Sequence, residues 1–288
     1  MSNQSDNKFI RNLKDSWYVN FNENGYPHVQ QGWILPPDRH REFDPFILMA
    51  DDWFKRGTFS DHPHRGFQTI TYVVDGRLEH TDNHGGHSVL DSGDVQYMNA
   101  GSGARHAEEA VDNDLIHTHQ LWLNLPKKLK QSKASYQNVY SEEAPVSQFA
   151  GGQVKVYAGT FSGVTGPMNS LVPIIMAEVT FTKEGEHEFT LPDNHNGFLF
   201  VRHGSVVIGD NDTPLTKTAV ATLTYNENGN GDESTIRIKA NERSRLLLYS
   251  GVPIKEEIVT RGPFVMNSMD EIRQAYKDFH EGKFGPPV

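Results

Sequence analysis

Apolar and β-branched residues recur in short runs along the chain, and turn residues separate the runs. The run from Gln68 to Val74 combines β-branched and aromatic residues and then meets Asp75-Gly76, a strong turn signal. Similar runs occupy residues 119–125, 154–157, 174–181, 198–201 and 245–249. Many short strands separated by turns indicate an all-β chain built from sandwich or jelly-roll domains.

One segment near the end of the sequence has a helical period instead. Ser268 and Glu271 form a capping-box pattern, in which each side chain can satisfy a free backbone N–H group at the start of a helix. The residues that follow carry an apolar face at spacings of three and four and then a glycine suited to a C-terminal cap: Ile272, Ala275, Tyr276, Phe279 and Gly282. The pattern predicts a single structural helix here.

The stretch from Lys127 to Phe149 interrupts the β pattern with polar residues and Pro145, and we interpret it as a connection between domains. A weak internal echo supports a duplication, because the segments 66–76 and 197–204 both begin with Gly-Phe, run through a strand and end in glycine. We therefore predict an N-terminal domain over residues 1–140 and a C-terminal domain over residues 141–288.

Composition narrows the functional classes. The chain has 288 residues, of which 36% are hydrophobic and 22% charged, as in globular rather than disordered proteins. Its formal net charge of −10 argues against direct nucleic-acid binding, and the short basic run at Lys127, Lys128 and Lys130 reads as solvated surface. The absence of cysteine excludes thiolate ligands and disulfides. The chain shows no signal-type segment and no long apolar window, so we expect a cytoplasmic protein without membrane contact. We also expect it to be a monomer.

Two short motifs carry candidate metal ligands. His62-Pro63-His64 and His106-Ala107-Glu108 each place two ligating side chains at positions i and i+2, which lie on one face of an extended strand. A single His-x-His pair is weak evidence, because the 14 histidines of this chain give about 0.7 such pairs by chance. For the other pair, His117 and His119, hydrogen bonding is the expected role.

If the two motifs face each other, three imidazoles and one carboxylate surround a common point. Imidazole binds Fe, Mn, Ni, Co, Cu and Zn, and one such divalent ion is predicted. The lack of thiolates and the presence of a hard carboxylate favour Fe(II), although affinity alone would favour copper or zinc. His80, His84 and His87 lie in a Gly- and Asn-rich turn and are predicted to be solvated.

Several longer segments match the signatures of a known family. The glycines Gly76, Gly93 and Gly101, together with the two histidine motifs, follow the two short motifs of the cupin superfamily. Closer matches occupy residues 44–46 (DPF), 61–67 (DHPHRGF), 93–98 (GDVQYM), 100–103 (AGSG), 120–126 (QLWLNLP) and 262–267 (GPFVMN). On these residues, which span most of the chain, the sequence resembles the pirin family.

The resemblance implies a bicupin, with two jelly-roll β-barrel domains in one chain. It implies one metal ion, usually iron, in the N-terminal domain, held at the positions of His62, His64, His106 and Glu108. Some pirins are similar to quercetin 2,3-dioxygenases, which implies a small aromatic substrate and dioxygen as reactants. A nuclear pirin acts as an iron-dependent transcriptional coregulator, which implies a protein partner instead.

The sequence departs from the family pattern at Gln68, where most pirins have Glu. A neutral amide is a poorer ligand than a carboxylate, but this position is not among the implied ligands, so metal binding is expected to survive with altered hydrogen bonding around the site. In the second half, the positions that match His62 and His64 are Thr190 and Pro192. The C-terminal domain is therefore predicted to be metal-free.

Our leading interpretation is a flavonol 2,3-dioxygenase. The metal would act as Lewis acid and template, and Glu108 as ligand and as general base for the substrate hydroxyl. Tyr97 and Met98 are predicted to form part of the pocket wall, and Arg65 to hold a carboxylate within the fold. The alternative is an iron-dependent redox or metal sensor that acts through a protein partner. A different cupin reaction is the third hypothesis, since a fold does not fix a function.

Overall fold

A computed structural model of the protein describes residues 8–288 as an all-β chain that ends in one α-helix. Within the described residues, the first half of the chain contains thirteen strands, and the histidine motifs lie on the sixth and the eleventh of them. In chain order these strands are β1 (Phe9–Arg11), β2 (Leu13–Tyr18), β3 (Phe21–Glu23), β4 (His28–Leu35), β5 (Phe46–Phe54), β6 (Phe59–His64), β7 (Phe67–Asp75), β8 (Leu78–Asp82), β9 (His87–Leu90), β10 (Val95–Asn99), β11 (Ala104–Ala110), β12 (Ile116–Asn124) and β13 (Ser135–Val139).

The second half continues with short strands up to the helix. These elements are β14 (Val146–Phe149), β15 (Gly152–Ala158), β16 (Thr160–Phe161), β17 (Val164–Thr165), β18 (Ile174–Phe181), β19 (Gly185–Pro192), β20 (Asn196–His203), β21 (Ser205–Ile208), β22 (Leu215–Thr216), β23 (Ala219–Leu223), β24 (Glu233–Ala240), β25 (Ser244–Gly251), β26 (Val259–Arg261), β27 (Phe264–Met266) and α1 (Met269–His280). Two short 3-10 helices lie at Pro37–Glu42 and Lys127–Leu129.

The chain forms two compact units and exchanges its ends between them. Unit N consists of Asn20–Glu143, Met168–Val172 and Ile254–Val288, and unit C consists of Ala144–Pro167, Pro173–Pro253 and the described residues up to Val19. The two units differ from a sequential division at residue 140, because β1 and β2 pair with β24 and β23 of unit C. Conversely, the C-terminal strands and helix belong to unit N. This assignment of the chain ends depends on pairing between strands far apart in the sequence, so local sequence patterns do not predict it.

Unit N is a sandwich of two antiparallel sheets. The larger sheet has the order β13-β10-β7-β12-β5-β4-β3, and the smaller one has the order β6-β11-β8-β9. A buried apolar cluster joins them, with residues contributed by both sheets: Phe54, Val73 and Ile116 from the larger, and Leu78, Leu90 and Ala110 from the smaller. Burial of these alternating inward-facing residues holds the two sheets face to face.

Unit C repeats the architecture. Its seven-stranded sheet has the order β14-β15-β18-β25-β20-β23-β2, and its second sheet has the order β1-β24-β21-β22 with β19 also paired to β24. One large cluster fills the space between them, including Val179, Leu199 and Leu248 from one sheet and Phe189 and Ile236 from the other. The prediction of an all-β chain with two jelly-roll domains and a C-terminal helix is thereby confirmed.

Each of the six runs that the sequence analysis singled out overlaps a strand. The run 174–181 coincides with β18, and the shorter runs fall inside β7, β15, β20 and β25, whereas β12 starts three residues earlier than expected. The interpretation of residues 127–149 as a mere connection is wrong in part. Strand β13 adds to the edge of the larger sheet of unit N, and β14 adds to unit C. Polar side chains suit edge strands, which is why the segment lacks an apolar signature.

Helix α1 begins and ends as the capping pattern predicts. Ser268 is the N-cap, and its hydroxyl oxygen accepts the backbone N–H of Glu271 at 3.3 Å. The carboxylate of Glu271 accepts the backbone N–H of Asn267 at 2.9 Å, one residue before the position of an ideal capping box. Gly282 follows the helix with a φ of +74°, a conformation that favours glycine.

A buried ion pair fastens this helix to the strand that carries the first histidine motif. Arg65, next to His64, donates from Nη1 to Asp278 on α1 at 2.8 Å and from Nε to the carbonyl of Ser102 at 2.7 Å. Its guanidinium also lies 4.4 Å from the centre of the Phe284 ring. Hydrogen bonds from Lys283 and from Arg65 keep the pKa of Asp278 well below its usual range. The predicted structural role of Arg65 is thus the observed one.

Replacing Asp278 by alanine is expected to lower the free energy of unfolding of unit N by about 3 kcal/mol, because the Arg65 charge would stay buried without its partner. Urea denaturation of the full chain measures this change. Asp270→Ala is the matched control on the same helix, since its ion pair with Arg273 is exposed and should contribute less than about 1 kcal/mol. Equal losses in both variants would contradict the prediction.

In unit C, stability should fall in acid because of His195. Burial and the neighbouring Arg11 lower the pKa of His195 to about 4, and its Nδ1 lies 2.9 Å from the Ser250 hydroxyl. The unfolded chain takes up a proton near pH 6.5 and the folded chain does not, so this stabilisation is present above pH 6.5 and is lost as the pH falls toward 4. His195→Gln should remove about 2 kcal/mol of the stability difference between pH 7 and pH 5. Denaturation curves at both pH values test this, and identical pH dependence in the variant would contradict it.

Candidate metal centre

Strands β6 and β11 bring the two predicted motifs face to face. In this antiparallel pair His106 lies opposite His62, and the small residue Ala104 lies opposite His64. One nitrogen from each of the three histidines lies within 4.8 Å of the others. The ring centres are 4.4 Å apart for His62 and His106 and 5.0 Å apart for His64 and His106. The i, i+2 spacing and the strand register together produce this convergence.

The hydrogen bonding of the cluster suits a metal ion. Within residues 8–288, neither ring nitrogen of His106 has a hydrogen-bond partner, although the side chain is fully buried. Such unsatisfied polar groups are rare in folded proteins and call for a ligand. The Nδ1 atom of His62 donates to the Ser60 carbonyl at 2.7 Å, which leaves the Nε2 lone pair available.

The protonation state of the cluster also suits a metal. Burial lowers the pKa of His62 and places the pKa of His64 and His106 well below the usual range, with neighbouring imidazoles adding to the effect. The rings are therefore neutral at pH 7, and a metal ion would not have to displace protons from them. Three neutral imidazoles fit the first-row transition metals named above.

Glu108 joins the cluster from a different side. Its carboxylate forms a group with His80 and His106 whose ligand atoms all lie within 4.8 Å of one another. Glu108 therefore shares a group with His106 but not with His62 or His64, and the four predicted ligands do not all fall in one group of this size. Glu108 accepts hydrogen bonds from the Thr71 hydroxyl at 2.8 Å and from the Gln120 amide at 2.5 Å. Burial raises the pKa of Glu108 to about 7, against the opposing effect of these two donors.

His80 is a site residue that the sequence did not reveal. The prediction that it is solvated is wrong, since its side chain is 2% exposed, whereas His84 and His87 are exposed as expected. Strand β8 pairs with β11 and puts His80 opposite Glu108. Burial lowers the pKa of His80 to about 4. The alternation along β8 could have indicated a buried position, but the chain neighbours of His80 are polar and resemble a turn.

Aromatic and polar side chains complete the surroundings. Trp122 lies edge-on to His64, with ring centres 5.5 Å apart, and its indole N–H donates to Gln120 at 3.2 Å. Trp122, Gln120 and Glu108 are therefore connected by hydrogen bonds. The Tyr136 ring lies 5.4 Å from His80, and its hydroxyl is buried without a hydrogen-bond partner in the described part of the chain.

Tyr97 does not line this site, in contrast to its prediction. Its hydroxyl donates to the Gln68 side-chain oxygen at 2.6 Å and accepts the backbone N–H of Leu171 at 3.2 Å. Successive residues of β10 point to opposite faces of the sheet. Gln96 pairs with Thr71, the hydrogen-bond partner of Glu108, so Tyr97, which pairs with Ile70, points away from Glu108. Met98 points to the same face of β10 as Gln96, but its side chain is fully buried in an apolar cluster with Ala104 and so does not form a pocket wall.

Gln68 has a structural role in the same network. Its side-chain oxygen accepts hydrogen bonds from Tyr97, from the Ser170 hydroxyl at 3.1 Å and from the Leu171 backbone at 3.0 Å. Its amide lies 3.4 Å from the carbonyl oxygen of Asn124. The residue sits on the face of β7 opposite Thr71 and Glu108. An amide in place of a carboxylate here therefore changes these hydrogen bonds, above all the one from Nε2 to Asn124, and leaves the donor set of the histidine cluster unchanged.

Two family models match this chain. A family model described as "Pirin" matches residues 37–123, which include all four predicted ligands. A second model, described as "Pirin C-terminal cupin domain", matches residues 176–285. Together the two matches cover more than half of the chain and both units.

Relatives match over nearly the full length. A pirin-like protein of Caulobacter vibrioides is 37% identical over 84% of this chain and 88% of its own length. Human pirin is 34% identical over 85% of this chain and 84% of its own length. Among solved structures, a quercetin 2,3-dioxygenase of Acinetobacter baumannii superposes with a TM-score of 0.84 and 29% identity, covering 97% of this chain and 100% of that one.

Proposed function

This chain belongs to the pirin family, and we propose on that basis that it is a metal-dependent flavonol 2,3-dioxygenase. The buried histidine cluster next to a carboxylate with a pKa near 7 carries the proposal. The similarity of 29% identity to a quercetin 2,3-dioxygenase supports this choice of substrate class. The reaction would consume one flavonol and one dioxygen and release carbon monoxide and a depside.

The residues proposed to hold the metal are His62, His64, His106 and Glu108. Iron(II) is our first choice, and Mn, Co, Ni, Cu and Zn also fit the donor set. When bound, the ion would supply Lewis acidity and a template for the substrate hydroxyl oxygen. Metal ligation would also satisfy one of the two ring nitrogens of His106, which are otherwise buried without a partner among the described residues.

Glu108 is proposed as the base that takes the proton of the substrate 3-hydroxyl group. Burial raises the pKa of Glu108 to about 7 in the metal-free protein, and a bound cation would lower it. The carboxylate would then be ionised at neutral pH and able to accept a proton. Thr71 and Gln120 hold the carboxylate in place with one hydrogen bond to each oxygen. This positioning keeps the base oriented while its charge changes.

The aromatic residues around the cluster suit a flat polyphenol. Trp122 presents a partly exposed ring beside His64, and aromatic pairs of this kind prefer offset or edge-on contact. The Tyr136 hydroxyl and the neutral His80 ring are polar groups that a phenolic hydroxyl could pair with. A flavonol would thereby satisfy the Tyr136 hydroxyl, which has no hydrogen-bond partner within residues 8–288.

The test is an assay of the iron-loaded full chain with quercetin under air, with loss of flavonol absorbance and release of carbon monoxide as readouts. Consumption of quercetin with carbon monoxide release would support the proposal. If a protein that holds one equivalent of iron leaves quercetin unchanged, the enzymatic proposal fails. The iron-dependent sensor that binds a protein partner then becomes the leading hypothesis, and retention of a partner in only one metal state would support it.

A further inference from the structure

A second cluster of metal-ligating side chains lies on strands β5 and β12. Asp51, His117 and His119 each offer a ligand atom, and these atoms all lie within 4.8 Å of one another. The Nε2 atom of His117 is 2.5 Å from one Asp51 oxygen, and the Nε2 atom of His119 is 3.2 Å from the other. We propose that these three residues form a second metal site, which takes a divalent first-row transition ion such as zinc.

The strand register builds this cluster. His119 pairs directly with Asp51, and His117 pairs with Trp53, so the three ligands occupy adjacent positions on one face of the sheet. Two histidines and one carboxylate are a common set of protein ligands for zinc, with a fourth position left for water. Two ligand atoms bound to the same zinc ion are roughly 3.3 Å apart, so the observed separations require only small side-chain movements.

Charge and burial favour an ion at this position. Asp51 is 2% exposed and His119 is 1% exposed, while His117 is partly exposed and gives a route to the site. Both oxygens of the buried Asp51 carboxylate lie within reach of a histidine ring, so a divalent cation held by all three groups would neutralise its charge.

The second cluster is separate from the first. Gln120, which donates to Glu108, directly follows His119 in β12, and consecutive residues of a strand point to opposite faces. The first cluster, on β6 and β11 of the smaller sheet, therefore lies on the Gln120 side of the larger sheet, whereas Asp51 and His119 lie on its other face. The two clusters share no ligand. Loss of one set of ligands should leave the other intact, so this proposal does not depend on the proposed enzymatic function.

A neighbouring pair on the other side of β5 provides a matched control. His28 lies 2.8 Å from Asp52, and no third histidine or carboxylate within residues 8–288 completes a group around them. The pair has the same chemistry as His117 and Asp51 but one ligand fewer. His28→Ala should therefore leave metal stoichiometry unchanged.

The experiment measures zinc binding to the metal-free full chain by calorimetric titration and by metal analysis after gel filtration. We expect two equivalents in the wild type and the His28→Ala variant, one in His62→Ala/His64→Ala, one in His117→Ala/His119→Gln, and none when these four changes are combined. Circular dichroism checks that each variant folds. If the His62→Ala/His64→Ala protein binds no zinc, or binds it equally well after loss of His117 and His119, the proposal is overturned.

Two further measurements keep the proposal testable if the double variant does not fold. Asp51→Asn has almost the same shape, and it should weaken zinc binding at this site more than tenfold, because it removes the charged ligand itself. Trp53 stacks on His117 with ring centres 3.9 Å apart, so Ni²⁺ at the site should quench its fluorescence. In the His62→Ala/His64→Ala background, Trp53→Phe should abolish this quenching. Quenching that survives Trp53→Phe, or zinc binding unchanged by Asp51→Asn, would contradict the proposal.

Discussion

Replacing His62 and His64 by alanine should reduce the iron content of the N-terminal centre from about one equivalent to a trace and reduce flavonol consumption at least a hundredfold. The two rings provide two of the three converging imidazoles, and His106 with Glu108 alone would leave an incomplete set of ligands. Changes beyond the direct ligands already cost 10- to 100-fold in metal affinity or activity, so loss of two ligands should cost more.

The measurement compares iron content and quercetin turnover of the two proteins after the same anaerobic loading. His84→Ala/His87→Ala is the matched control, because it also removes two histidines from unit N but changes exposed residues outside the cluster. The control should keep both iron and activity. If the His62→Ala/His64→Ala protein retains one equivalent of iron with undiminished turnover, the proposed ligands are wrong.

Replacing Glu108 by glutamine should lower kcat by roughly 10²- to 10⁴-fold, because a neutral amide cannot take the proton of the substrate hydroxyl. Burial raises the pKa of Glu108 to about 7 in the metal-free protein, and a bound cation would lower it. The wild type should therefore gain activity as the pH rises and Glu108 loses its proton, with a midpoint below 7 in the iron-loaded protein. This rise should be absent from the residual activity of the variant. At saturating iron the variant should still bind the metal, since His62, His64 and His106 remain.

Glu109→Gln is the control for this prediction. Glu109 is the adjacent carboxylate on β11, but it binds the Gly57 backbone and the Ser60 hydroxyl instead of the cluster. Its replacement should leave the pH profile unchanged. Measuring iron content and the pH dependence of kcat together separates the two proposed roles of Glu108. If Glu108→Gln loses iron, and its turnover falls only in proportion to the iron lost, Glu108 acts as a ligand and not as the base. If the variant keeps normal turnover and the pH profile of the wild type, Glu108 is not the base.

The sequence by itself determined the all-β class, several of the strands, the helix and the pairing of residues within each histidine motif. Apolar runs between turns predicted the strands β7, β12, β15, β18, β20 and β25, and the capping pattern placed the helix that begins after Ser268. The spacing of His62 and His64 put both rings on one face of β6 before any tertiary contact was known. These features depend on residues only a few positions apart, and such local geometry is fixed by the backbone conformation of a single element.

Only the tertiary structure decided which residues of distant strands lie opposite each other. The register of β8 against β11 brought His80 to Glu108, and the register of β5 against β12 brought Asp51 to His119. Pairing with distant strands likewise exchanged the chain ends between the two units and turned Tyr97 away from the centre. Strand register is set by the packing of whole sheets, and a shift of one residue reverses every side chain, so local periodicity does not encode these partners.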